Sequence, residues 1–335
     1  MKISYLVKRV LAMDFKAMNQ RIDGIHKKTG KNKLFILGDM AVCAVRYGAG
    51  YMDYDLFEMY DLTAAQRDTY ITRGRSNDLV RKYNDRSFSH YFDYKDEFDA
   101  RFTDYLHRDW APITDQPNED DKERALKVIE AHDVIFAKPV DGSCGIGVER
   151  LLTKDFEDAE ALYKYVKAYG KRYVLEEEIR QHPKVSSIYP GSINTVRIVT
   201  IVKDNVPHVI CAYFRIGNSG NAVDNFNHGG MVTPVDEVTG IVKYPAMDKT
   251  KVVYEDHPVT GTHIQGFEFP DWEKARELVK KAAMEVPQMG YVGWDVAFGV
   301  DGPLLVEGND FTGHDLYQLK PHTPDKIGIY HKFLV

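Results

Sequence analysis

Two long β-runs, residues 193–203 (INTVRIVTIVK) and 207–216 (PHVICAYFRI), flank the turn signal Asp204-Asn205. Both are rich in β-branched and aromatic residues, so the pair predicts an antiparallel hairpin. A connection this short has no room for a crossover helix, which excludes a doubly wound parallel sheet as the plan there. Strands are also expected at 134–138, 148–152, 172–178 and in a last hairpin, 291–300 with 304–306. Between them Asp155 is expected to cap a helix that Gly170 ends, and a further helix covers 271–286. Upstream the texture is helical. Apolar positions at helical spacing run through 3–28, Thr63 is set to cap a helix, and another is expected over 95–107. The fold class is therefore α+β.

The chain's 335 residues allow two domains, and 44% hydrophobic with 28% charged residues is ordinary for globular folds. The acidic, turn-rich stretch beginning at Thr114 sets the expected boundary: a largely helical region over 1–115 and a second domain over 116–335. A net charge of −6 gives no bulk reason to hold nucleic acid or an anionic membrane, leaving room only for a local basic patch. Cys43, Cys144 and Cys211 form no CxxC pair, so neither a disulfide framework nor a zinc finger is indicated. Lys8 and Arg9 interrupt the N-terminal apolar residues, and no stretch reaches membrane-spanning length. The expectation is a cytoplasmic protein without membrane insertion or nucleic-acid partner.

Three patterns carry chemistry. In FAKPVDGSCGIGV (136–148), Lys138 ends a strand and a loop with Gly142, Ser143, Gly145 and Gly147 follows. Such glycines let backbone N–H groups approach phosphate oxygens, and the lysine supplies a cation. No Lys-Ser/Thr follows the loop and Arg150 occupies the place of a third glycine, so neither common phosphate motif matches. The alternative is a flexible hairpin loop. In GWDVAFGVDGPLLVEGN (293–309), a three-residue loop Val300-Asp301-Gly302 would set Asp295 opposite Glu307, with Asn309 on the same face. Two carboxylates and an amide oxygen among apolar neighbours suit a hard cation such as Mg²⁺ better than a solvated acidic hairpin. In YVLEEEI (173–179), Glu176, Glu177, Glu178 and Ile179 close an apolar strand, as a solvated end or as a nucleotide hinge.

Arg197 and Arg215 alternate in phase with apolar residues on their strands, and each needs an anionic partner, a ligand or a salt bridge. In NFNHGGM (225–231), Asn227, His228, Gly229 and Gly230 suggest a substrate or phosphate loop. No nucleophile elbow accompanies this HGG run, which argues against an esterase oxyanion hole. His314 is a further candidate near the acceptor.

These pieces, in this order, resemble the ATP-grasp superfamily: a lysine before a glycine-rich loop, an acidic hinge strand and a D…E-x-N hairpin. Lys95, in DYKDEFDARF (93–102), sits where the family's first lysine would lie. The stretches DLTAAQR (61–67), INTVRIVT (193–200) and DNFNHGG (224–230) are similar to the sugar-transfer-associated subgroup, and the resemblance spans about 55–320. It implies two α+β lobes, about 116–178 and 179–335, that clamp ATP. Lys95, Lys138 and the loop would meet the phosphates, Glu176–Ile179 the adenine, and Asp295, Glu307 and Asn309 the Mg²⁺. Arg197 would stabilise the transferring phosphoryl group. The implied activity is an ATP-dependent carboxylate–amine ligase for a small metabolite or a polysaccharide precursor. Alternatives are a phosphotransferase, or a non-catalytic ATP-binding protein of a polysaccharide assembly.

Overall fold

A computed structural model describes residues 14–116, 118–142, 145–218, 226 and 229–334. Ser143, Cys144, Asn227 and His228 lie outside the described residues. Two compact units divide the chain, Met1–Leu79 with Gly313–Leu334, and Val80–Thr312.

The first unit is helical. Helix Phe15–Thr29 starts at Asp14, whose carboxylate accepts from Ala17 N, and stops at Gly30 in the left-handed region. Helix Lys33–Tyr47 starts at Asn32. Met18, Ile22 and Ile25 of one helix share a core with Ile36, Met40, Cys43 and Tyr47 of the other. Both sets recur every three or four residues, the spacing of one helical face. Thr63 caps helix Ala64–Asp68 in a reciprocal box with Gln66, as its sequence position implies.

The second unit holds two antiparallel sheets. The smaller, of order β1-β4-β2-β3, contains β1 (Trp110–Ile113), β2 (Val134–Pro139), β3 (Glu149–Leu152) and β4 (Tyr173–Glu177). β1 pairs with β4, so the stretch before residue 116 contributes an edge strand to this sheet. One face carries Ala111, Ile113, Ile135, Ala137, Tyr173 and Leu175, buried with Ala125, Val128 and Ile129 of helix Glu119–Ala131 and Leu162 and Val166 of helix Ala159–Lys167. The other face, by strand alternation, carries Phe136, Lys138, Val174 and Glu176. Helix Ala159–Lys167 is capped by Asp158, which accepts from Ala161 N, while Asp155 ends a 3₁₀ turn. The expected cap at Asp155 is thus corrected: that turn uses its backbone before the helix begins.

The larger sheet has the order β11-β10-β5-β6-β7-β8-β9. It comprises β5 (Thr195–Lys203), β6 (Val206–Ile216), β7 (Met231–Val235), β8 (Ala246–Asp248), β9 (Val253–Tyr254), β10 (Tyr291–Gly299) and β11 (Gly302–Asn309). Asp204 and Asn205 both adopt positive φ between β5 and β6, the twist that a tight hairpin turn requires. Helix Trp272–Ala283 buries Trp272, Ala275, Leu278 and Val279 in one core with Val196, Ile198, Trp294 and Val296.

Asp295 stands opposite Glu307 as expected, by a different route. Gly299 pairs with Gly302, so the loop is the two residues Val300-Asp301. The register then shifts between Asp295 and Val296, because Val306 is an extra bulged residue. Gly308 follows, and a Cβ there would lie 2.8 Å from Phe92 Cε1 and 2.9 Å from Phe98 Cε2. Gly308→Ala is therefore expected to cost about 1–3 kcal/mol through overpacking, read by denaturant titration. An unchanged midpoint would contradict this packing.

Candidate functional site

A row of polar side chains crosses four adjacent strands of the larger sheet. Glu307 on β11 faces Asp295 on β10, Asp295 faces Arg197 on β5, and Arg197 faces Tyr213 on β6. Directly opposed residues project to the same side, so these groups share one face with Arg215 and Asn309.

Asp295 is 2% exposed and its carboxylate is shared between two guanidiniums. Arg197 donates from Nε to Oδ1 and from its terminal nitrogen to Oδ2, both at 2.6 Å, and Arg215 donates to Oδ2. Burial pushes this carboxyl up, but the two arginines outweigh it and hold it well below the usual range. Glu307 behaves oppositely: desolvation raises its pKa, and the neighbouring Asp295 charge adds to that. Asn309 Nδ2 lies 3.3 Å from Glu307 Oε1. Glu307, Asn309 and Asp295 are the oxygen-bearing residues here that could hold a hard cation such as Mg²⁺, with Arg197 also 3.6 Å from Glu307. Asp295 differs from a simple ligand in that both its oxygens already serve arginines.

The cations come from β2, from the segment before β1 and from helix Lys95–Arg101. Lys138 donates to Glu176 Oε2 at 2.7 Å, and Arg108 Nε donates to the same oxygen at 2.7 Å. Arg108 also donates to the carbonyl of Leu305 on β11, tying the two sheets together, and lies 3.8 Å from Asp99 Oδ1. Burial pushes Glu176 up, yet Arg108 and Lys138 prevail and hold it down to about 2. Asp99, 2% exposed, goes the other way. Burial and then the Glu176 charge push it up to about 7, and its Oδ2 has no hydrogen-bond partner among the described residues. Lys95 donates to the carbonyl of Gly142 at the start of the glycine loop. Burial lowers its pKa, Glu307 opposes that shift, and Lys138 reinforces it. The structure thus brings Lys95, Lys138, Glu176 and Glu307 within electrostatic reach of one another. Gly145 and Gly147 adopt positive φ in the loop, and a Cβ on Gly147 would meet Pro139 Cγ at 3.0 Å.

Other sequence candidates lie elsewhere. Glu177 projects to the opposite face of β4, where it accepts from Asp109 N at 3.1 Å, and it converges with Asp109 and His132 within 4.8 Å. Glu178 pairs with Arg150 at 2.9 Å, and Ile179 is half-buried. Gly229 and Gly230 lead into β7. His314 belongs to the first unit, buried, with Nε2 2.9 Å from Asp53 Oδ1. Arg108 and Asp99 escape sequence reading because neither sits in a recurring spacing. Their only signal is a charge beside aromatic residues, Phe98 and Trp110.

The fold is that of an ATP-grasp protein. The chain matches the sugar-transfer associated ATP-grasp family over residues 74–323, and it belongs to that family. No curated protein matches the sequence. Among solved structures, D-alanyl-alanine synthetase A from Vibrio cholerae is similar at 14% identity, covering 71% of this chain and 60% of its own, with a TM-score of 0.42. N5-carboxyaminoimidazole synthase from Aspergillus clavatus, with ADP and 5-aminoimidazole ribonucleotide, has 11% identity, coverage of 70% and 49%, and a TM-score of 0.39. L-amino acid ligase from Bacillus licheniformis has 13% identity, coverage of 69% and 44%, and a TM-score of 0.37. The chain therefore spans less than two thirds of each of these proteins.

Arg108→Ala leaves Glu176 with Lys138 alone and removes the strut to Leu305, so it is expected to lose about 3–5 kcal/mol of stability. Lys138→Ala keeps Arg108 on Glu176 and should lose clearly less. Equal losses in denaturant titrations would contradict the division of roles. Asp99 provides a pH test. Its folded pKa exceeds its unfolded one, so the folded chain binds the extra proton and stability falls as pH rises from about 4 through about 7. Asp99→Asn should remove that decline, and parallel stability–pH curves would refute it.

Proposed function

We propose that this chain is an ATP- and Mg²⁺-dependent carboxylate–amine ligase acting through an acyl phosphate. Its substrate class would be a small metabolite or a sugar or cell-envelope polysaccharide precursor, in keeping with the family. The observation that carries the reading is that Lys95 lies within electrostatic reach of both Lys138 and Glu307, and Glu307 in turn of Asp295 and Arg197, with Asn309 beside it. Transfer of a phosphoryl group requires little covalent help; it requires positioning and neutralisation of charge.

Lys95 and Lys138 bind the nucleotide phosphates, with the backbone N–H groups of the glycine loop around Gly142, Gly145 and Gly147. Glu176 holds Lys138 in place beforehand, and its backbone with that of Glu177, Glu178 and Ile179 meets the adenine. Mg²⁺ held by Asp295, Glu307 and Asn309 would neutralise phosphate charge when bound. A carboxylate oxygen of the acceptor attacks the γ-phosphorus as the bond to the ADP oxygen breaks. Arg197 stabilises the charge that develops on the phosphoryl oxygens, and Arg215 orients the acceptor carboxylate. The amine then displaces inorganic phosphate from the acyl carbon, with the loop excluding water meanwhile. Gly229 and Gly230 lie on the acceptor side.

A screen of metabolite mixtures with Mg²⁺-ATP, reading ADP release, tests this directly. Release that requires both a carboxylate and an amine is expected. Release with a single acceptor, leaving a stable phosphorylated product, would make the protein a kinase instead. Glu307→Gln and Lys138→Ala should each lower turnover by roughly 10²-fold or more. Near-normal turnover in either would sink the site assignment.

A further inference from the structure

Helix Lys33–Tyr47 buries Ile36, Met40, Cys43 and Tyr47, yet its other side is not polar. Leu34 is 78% exposed, Phe35 60%, Val42 53% and Val45 64%. Leu37, Gly38 and Ala41 are exposed with them, so no polar side chain interrupts the outward face. This reverses the arrangement expected of a water-facing helix. The band from Leu34 to Val45 runs about 17 Å at 1.5 Å per residue. Lys33 and Arg46 stand at its flanks rather than on it.

Charge is the second, independent observation. Residues 1–48 hold ten Lys and Arg against three Asp and no Glu, whereas the rest of the chain holds 34 against 47. Some of these cations are matched: Arg21 with Asp55, Lys28 with Glu58, Lys31 with Asp61 and Lys33 with Asp23. Lys16 and Lys27 are exposed and form no ion pair among the described residues, and Arg46 lies over the Tyr47 ring. A basic segment in an acidic chain, carrying an uninterrupted apolar helical face, has the chemistry of an interfacial membrane anchor. No helix of the described residues is long and apolar enough to cross a bilayer.

We infer that the outward face of helix Lys33–Tyr47 docks on an anionic lipid surface, with Leu34, Phe35, Val42 and Val45 entering the interface and the flanking cations meeting the headgroups. A second copy of this chain is the poorer occupant on electrostatic grounds, because like-charged segments would be brought together.

The test is sedimentation of the full chain with vesicles of phosphatidylcholine, with and without phosphatidylglycerol. Binding is expected only with phosphatidylglycerol, and added salt should weaken it. The double variant Phe35→Glu with Val42→Glu should lower vesicle binding by about tenfold or more. Both positions are exposed, so its melting curve should stay unchanged. The double variant Lys16→Glu with Lys27→Glu should reduce binding to the phosphatidylglycerol vesicles. No binding to anionic vesicles, or undiminished binding by the Phe35→Glu/Val42→Glu variant, overturns the inference. A concentration-dependent dimer in sedimentation velocity, dissolved by that variant without any vesicle binding, would assign the face to a second copy and also overturn it.

Discussion

Glu176 is 3% exposed, and it stays ionised there because two cations share one of its oxygens. A lone carboxylate at such a depth would take up a proton or destabilise the fold by several kcal/mol. Arg108 makes the arrangement permanent: besides Glu176 it engages the carbonyl of Leu305, next to the bulge at Val306. The lysine-bearing sheet and the acidic hairpin are thus tied by the same guanidinium. Lys138 is the partner that Glu176 can release, since Arg108 remains behind.

The larger sheet repeats the device. Asp295 is shared by Arg197 and Arg215, so the two guanidiniums are oriented before any ligand arrives. Preorganised charge of this kind is more useful to a phosphoryl-transfer cleft than a flexible arginine on the surface. Lys95, Lys138, Arg108, Arg197 and Arg215 lie among Asp99, Glu176, Asp295 and Glu307. A chain of net charge −6 therefore still gathers five cations around these carboxylates.

Much of this is legible in the amino-acid sequence, for identifiable reasons. The β5–β6 hairpin is announced by its turn and its β-branched runs. The facing of Asp295 and Glu307 follows from hairpin spacing, because one residue of slip flips a side chain to the other face. Spacing alone reaches the right pairing through the wrong loop: a two-residue turn with a bulge has the same arithmetic as a three-residue turn. The sequence groups Glu176 and Glu177 as one hinge, but strand alternation sends their side chains to opposite faces. What sequence reading does not reach is the partner of each charge. Arg108 and Asp99 meet Glu176 across 68 and 77 positions of chain, a proximity that only the folded sheets create. The cap at Asp158 rather than Asp155 is a local miss, since either aspartate has suitable chemistry and the intervening 3₁₀ turn decides.

The central claim is that this cleft binds Mg²⁺-ATP by exchanging internal ion pairs for contacts with phosphate. A crystal structure with Mg²⁺ and a non-hydrolysable ATP analogue tests it most directly. The account predicts the phosphates between Lys95 and Lys138, Lys138 moved from Glu176 toward them while Arg108 stays on Glu176, and the cation on Asp295, Glu307 and Asn309. A nucleotide bound elsewhere, or phosphates in the cleft that touch neither lysine, would contradict it.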